Sequence, residues 1–124
     1  MKKLIPIALL AIIATGCYND KYEKLYPAPV TTVDPCDTAT NPSTYSGNIM
    51  AIMNQSCNTA GCHDASSASG GYDLTQYSMV KASADNGSLV DQITSGRMPQ
   101  GMAKLSDCKI GQIVYWVNHG AQNN

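Results

Sequence analysis

Apolar residues recur at helical spacing in two stretches of this chain. Ile49, Ile52 and Met53 fall at i, i+3 and i+4, and Cys57 extends the line, which predicts a short helix running into Cys57. Near the end, Ile110, Ile113, Val114 and Val117 form a wider stripe broadened by Trp116. Ser106 stands where that helix needs an N-cap, and Gly120 where it should end. Two shorter helices are expected over 75–84 and 88–94, with Thr75 and Ser88 as their caps. Residues 64–71 are rich in Ser, Ala and Gly, and residues 97–104 contain Gly and Pro, so both should be irregular. No segment alternates as a strand does, and the expected fold class is all-α. Gly111 interrupts the last helix at a cost of roughly 1 kcal/mol against Ala, which points to a close helix crossing there.

A different pattern opens the chain. Lys2 and Lys3 precede an apolar run over 4–13, and Ala14-Thr15-Gly16-Cys17 follows. That run is far short of the roughly 20 residues a membrane-crossing helix needs, and the arrangement describes a secretory signal. The ending resembles the lipobox of bacterial lipoproteins, with Ala14 where that motif usually carries Leu, Val or Ile. The resemblance implies cleavage after residue 16 and a lipid on Cys17; ordinary cleavage nearby, leaving Cys17 as a thiol, is the alternative. Both place the mature protein outside the cytoplasm, in the periplasm or at the cell surface, where thiols meet oxidising conditions. Residues 17–44 are polar, carry Pro27, Pro29, Pro35 and Pro42, and show no helical period, as expected of a tether. The expected organisation is a signal peptide over 1–16, a tether over 17–44 and a helical domain over 45–124.

Composition narrows the function classes. The chain has 124 residues, a formal charge of −1 and only 14% charged residues, which gives no electrostatic basis for binding nucleic acid. It has no Phe and one Trp, so the usual aromatic core-fillers are scarce. It has five cysteines, an odd number that disulfides alone cannot use up.

Cys57-Asn58-Thr59-Ala60-Gly61-Cys62-His63 is the stretch that suggests chemistry. Covalent haem attachment needs two thiols reaching the porphyrin vinyl groups and a His directly after the second Cys to bind the iron. The common spacing leaves two residues between the thiols; here there are four, all small or polar, and Gly61 allows the turn into Cys62 to be tight. A local disulfide between Cys57 and Cys62, with His63 at the surface, accounts for the same string. Downstream, Met98-Pro99 lies in a Gly/Pro loop rather than on an apolar stripe, which suits a thioether iron ligand better than core packing. Met102 is the rival, and Pro99 beside Met98 favours the latter.

Taken in order, a helix, Cys…Cys-His, small helices, Met-Pro and a terminal helix carrying Trp116, residues 46–122 resemble a class I single-haem cytochrome c domain with widened cysteine spacing. The resemblance implies one covalent haem c on Cys57 and Cys62, His63 as proximal ligand and Met98 as distal ligand. It also implies first and last helices crossing closely, which suits Gly111 and Trp116. The function it implies is electron transfer with redox partner proteins rather than enzymatic turnover of a small-molecule substrate, and the lipid on Cys17 would add a membrane contact. A five-coordinate haem domain with a sensing or catalytic role, and a cofactor-free disulfide-stabilised lipoprotein or interaction module, are the alternatives.

Cys36 and Cys108 remain, and in an exported protein two leftover thiols most simply pair, for about 4 kcal/mol of stabilisation in the chain-entropy account. His119 reads as a solvated His at a helix end. A zinc site from Cys57, Cys62, His63 and His119 is disfavoured because adjacent Cys62 and His63 rarely hold one metal together. Tyr45, Tyr72, Tyr77 and Tyr115 are expected as core and pocket walls, and Arg97 as a partner for a haem propionate or a plain surface residue.

Overall fold

The computed structural model describes residues 34–124; the expected signal peptide, Cys17 and the expected tether as far as residue 33 lie outside them. The described chain is all-α, with no strand among these residues. A π-helical turn, Tyr45–Ile49, runs directly into α1, Met50–Ser56, and a short 3-10 turn, Ser69–Gly71, follows the Cys62 loop. Then come α2, Tyr77–Asp85, α3, Ser88–Thr94, and α4, Asp107–Asn118. None of these helices is long and apolar enough to cross a membrane.

Local chemistry explains most of these boundaries. Thr44 caps the first helical segment by accepting from the Gly47 N–H at 3.1 Å. A Cβ on Gly47 would come within 2.6 Å of that hydroxyl oxygen, so the cap depends on the glycine. Ser106 caps α4 as expected, accepting from Lys109 N, and Gly120 follows the helix with φ +89°. The other two expected caps are not used. Gln76 and Gly87 occupy those positions without a side-chain cap bond. Asp73 takes both the N–H and the hydroxyl of Thr75, and Asn86 accepts from Ser88 N, so each serine or threonine is drawn into a local turn instead.

The core joins all four helices. Ile49, Ile52 and Met53 pack with Val80 of α2, Ile93 of α3, and Ile113 and Trp116 of α4. Trp116 is 1% exposed, and its ring lies 5.7 Å from that of Tyr45, which meets Tyr77 edge-on at 4.9 Å. Residues after α4 fold back over this corner. Trp116 Nε1 donates to Gln122 O at 2.8 Å, and the Tyr77 hydroxyl donates to Ala121 O at 2.8 Å. Asn124 accepts from Tyr45 N and Ser46 N at 2.9 Å each, satisfying two orphan donors where the first helical segment begins.

Two expectations are corrected. The last helix does pack on the first helical segment, but through Trp116 and not through Gly111, which is exposed with open space where a Cβ would stand. Residues 34–44, expected to belong to the tether, are docked on the domain. Cys36 and Cys108 are joined by a disulfide across 72 positions, and Gln112 of α4, only 6% exposed, donates to Pro35 O at 2.6 Å. A glutamine is tolerated at a buried helix position because its amide has this backbone partner.

Candidate functional site

α1 delivers Cys57 at its C-cap, where the Cys57 N–H still donates to Met53 O at 2.8 Å. The following loop closes on itself: Cys62 N donates to Thr59 O at 2.9 Å and His63 N to Cys57 O at 3.2 Å. Gly61 sits at φ +83°, the left-handed conformation the turn requires. Asp64 holds the far side, accepting from the backbone N–H groups of Gly61, Ser66 and Ser67 and from the Ser66 hydroxyl at 2.7–2.8 Å. These donors keep its carboxyl well below the usual range.

Cys57 and Cys62 are both free thiols, unlike Cys36 and Cys108. Burial pushes the Cys57 thiol up to about 11, with the Cys62 thiol beside it adding to the rise and Lys109 opposing it. Cys57 therefore stays protonated at neutral pH, unlike the low-pKa thiols of dithiol redox enzymes.

His63 is oriented from behind. Its Nδ1 lies 3.2 Å from the carbonyl oxygen of Tyr72, and Leu74 N donates to His63 O at 2.9 Å. A carbonyl only accepts, so Nδ1 carries the proton and the Nε2 lone pair is left for another partner. An imidazole that ligates a metal is characteristically held in this way.

These side chains line one cleft of about 470 Å³, within the range of small-molecule and cofactor sites. Cys57, Cys62 and His63 contribute to it from the loop after α1, and Leu74, Leu89 and Ile93 supply apolar surface. The 97–104 loop contributes both candidate thioethers, Met98 and Met102, together with Pro99. Met98 is half-buried and its N–H donates to Gln92 O at 3.1 Å, whereas Met102 is 53% exposed. Two thiols, an imidazole with a free Nε2, a thioether and apolar walls are the donor set that a covalently attached haem requires, so the residues fit that group.

The remaining candidates are distributed as follows. Tyr72 lines the cleft, and its hydroxyl accepts from Asn86 Nδ2 at 3.0 Å; Asn86 and Ser88 together hold that phenol below its usual pKa. Tyr45 and Tyr77 belong to the Trp116 corner, and Tyr115 stacks on His119 with centroids 3.9 Å apart. His119 is exposed at the end of α4, its Nδ1 donating to Tyr115 O at 2.7 Å. It does not line the cleft, so the zinc grouping with Cys57, Cys62 and His63 is not assembled. Arg97 is exposed, pairs with Asp91 and donates from Nε to Gln92 Oε1 at 3.1 Å. The sequence reading missed Leu89 and Ile93, although their i, i+4 spacing on a short helix marks an apolar edge. It also missed the Tyr72 carbonyl, a backbone atom that carries no sequence signal. Comparison with protein-family models, curated proteins and solved structures finds no match.

Proposed function

We propose that this protein is an exported, lipid-anchored electron carrier whose helical domain wraps one covalent haem c. Cys57 and Cys62 would hold the porphyrin through thioether bonds, with His63 Nε2 and the Met98 sulfur as axial ligands. When bound, the haem supplies one-electron chemistry between ferrous and ferric iron. The observation that carries the reading is the His63–Tyr72 hydrogen bond, which leaves Nε2 free on a cleft lined by both thiols and by Met98.

The chain's own residues have separable tasks. The Tyr72 carbonyl fixes the His63 tautomer and ring plane and strengthens the imidazole as a donor. Leu74, Leu89 and Ile93 exclude water, which limits the reorganisation that accompanies electron transfer. The Met98 thioether, as an iron ligand, would favour ferrous iron and raise the potential. With His63 and Met98 both holding the iron, no protein-free position would be left for a substrate, which would separate a carrier from a gas sensor or an oxidase. Met98 is favoured over Met102 because its backbone is tied to α3 and its side chain is half-buried.

The test uses mature protein produced together with haem-attachment machinery. Haem that survives denaturation and acid extraction in the wild type, and is lost in Cys57→Ala/Cys62→Ala, is the expected result. A colourless wild-type protein would sink the proposal. Loss of the methionine–iron absorption band in Met98→Ala but not in Met102→Ala is expected, and the reverse pattern would exchange the two roles.

A further inference from the structure

The two thiols of the cleft are held in different ways. Cys57 stands at the end of α1 with its N–H on Met53 O, and its side chain packs against the buried cluster. Cys62 belongs to no helix, and four residues separate it from Cys57. None of residues 58–71 is part of the buried cluster, so hydrogen bonds rather than packing set where Cys62 stands. Its N–H donates to Thr59 O at 2.9 Å, within the connection itself, and the next N–H, that of His63, reaches back to Cys57 O at 3.2 Å.

The bonds on either side of this pair meet at Asp64. Oδ2 accepts from the N–H of Gly61, the residue before Cys62, at 2.8 Å. Oδ1 accepts from the N–H groups of Ser66 and Ser67 and from the Ser66 hydroxyl at 2.7–2.8 Å, and the Ser67 hydroxyl lies 3.4 Å from Oδ2. Asp64 O takes Ala68 N at 2.9 Å, and the segment so folded returns to the thiol. Ser69 N donates to Cys62 O at 3.0 Å, and the Ser69 hydroxyl to Gly61 O at 3.4 Å. One carboxylate thus clasps the chain entering Cys62 to the chain leaving His63. Gly61, Cys62, His63 and Ser69 line the cleft and Asp64 does not, so Asp64 acts on an occupant only through them.

On the haem reading, the clasp has a task. Each thioether forms by addition: the sulfur bonds one vinyl carbon, the thiol hydrogen ends on the other, nothing leaves and no electrons are gained or lost. The two vinyl groups sit at fixed places on one porphyrin edge. Once Cys57 has reacted, the second bond depends on how often Cys62 stands within reach of the remaining vinyl. Two residues more than the common spacing loosen the Cys62 end, and the Asp64 bonds take that freedom away.

We infer that Asp64 is a positioning residue for the second thioether: by clasping Gly61 to residues 66–67 it holds Cys62 at the offset from Cys57 that the two vinyl groups require. The inference rests on the haem reading and deepens it, since attachment is divided between a thiol placed by α1 and a thiol placed by a carboxylate. Without that carboxylate, Cys57 still reacts and Cys62 stays a thiol.

The experiment uses the full chain matured with haem-attachment machinery, denatured, alkylated and digested. Mass analysis of the haem-bearing peptide gives the fraction with Cys62 alkylated. The pyridine haemochrome band, which moves to longer wavelength when one vinyl group is unreacted, measures the same fraction independently. Asp64→Ala should raise the singly bound fraction about fivefold, the weight of one ordinary hydrogen bond. Asp64→Asn should raise it nearly as much, because its amide cannot accept on both flanks at once. Ser66→Ala removes only a hydroxyl from Oδ1 and should match the wild type. A merely structural role would lower haem content or helicity while leaving the haem that is attached doubly bound. A wild-type ratio in Asp64→Ala, alkylation at Cys57 instead of Cys62, an Asp64 variant without covalent haem, or singly bound haem already in the wild type overturns this inference alone. A wild-type protein without covalent haem overturns the haem reading and this inference together.

Discussion

The domain has two ends built on different principles. At one, Trp116, Tyr45 and Tyr77 pack ring against ring, and the 120–124 tail closes over them with its own hydrogen bonds. At the other, Leu74, Leu89 and Ile93 are the edge of the same buried core and also line a cleft of about 470 Å³. In a chain without Phe and with one Trp, that Trp is spent on the first end together with Tyr45 and Tyr77, and Tyr72 is the one aromatic among the described residues that lines the cleft. Side chains close one end of the core, and at the other the apolar residues border open space that a large apolar group would cover. The proposed haem fits that description, and the contrast between the ends predicts how each should respond to change.

The largest effect should come from the closed end. Trp116→Ala removes a fully buried ring, its contact with Tyr45 and its bond to Gln122, and should cost about 3–5 kcal/mol in urea unfolding. Leu89→Ala at the cleft should cost about 2 kcal/mol before haem is loaded, the low end for such truncations, because part of its side chain faces the cleft. With haem bound, the Leu89→Ala cost should rise while that of Trp116→Ala stays constant. Equal responses at the two positions would erase the distinction.

Reducing the Cys36–Cys108 bond, or replacing both residues with Ser, should lower stability by up to about 4 kcal/mol. Residues 34–44 should then lose amide protection before either end of the core does, since none of them belongs to the buried cluster. Simultaneous loss throughout would show that the docked segment is part of the core. A smaller change of opposite sign is expected at Gly111. Gly111→Ala, in open space on the outer face of α4, should raise stability by about 0.5–1 kcal/mol in the same assay.

The smallest expected effect is local to the cleft end. The Asp64 carboxyl is held below its ordinary value of 3.8, so what it contributes is fully present above that pH and is lost as pH falls toward the folded value. Hydrogen exchange at Gly61, Ser66 and Ser67, taken relative to the intrinsic rate at each pH, should accelerate on acidification below about pH 4, with the amides near Trp116 unaffected. Asp64→Asn should show the fast exchange already at neutral pH.

Much of this architecture could be read from apolar spacing. The helix into Cys57, the helix at 88–94 and the Ser106-capped terminal helix are set by local periodicity and by one cap, and they form where the pattern places them. What escaped depends on partners distant in sequence. Residues 34–44 look like linker because nothing local shows that Gln112, buried and polar, waits for Pro35 O. Thr75 and Ser88 look like caps because the competing Asp73 and Asn86 carry similar oxygens two residues earlier. Within the candidate site, the thiols, His63 and the two methionines were legible as a motif. The Tyr72 carbonyl was not, since its meaning lies in which atom faces it.

The Asn124 contacts have a consequence for the order of events during synthesis. The donors that begin the first helical segment are satisfied 79 positions later in the chain. That segment runs into the helix delivering Cys57, so the Tyr45 and Ser46 N–H groups wait for Asn124 to be made, while Thr44 caps Gly47 locally from the start. A C-terminal purification tag would place a new peptide bond and a bulky follower where Asn124 turns back on Tyr45.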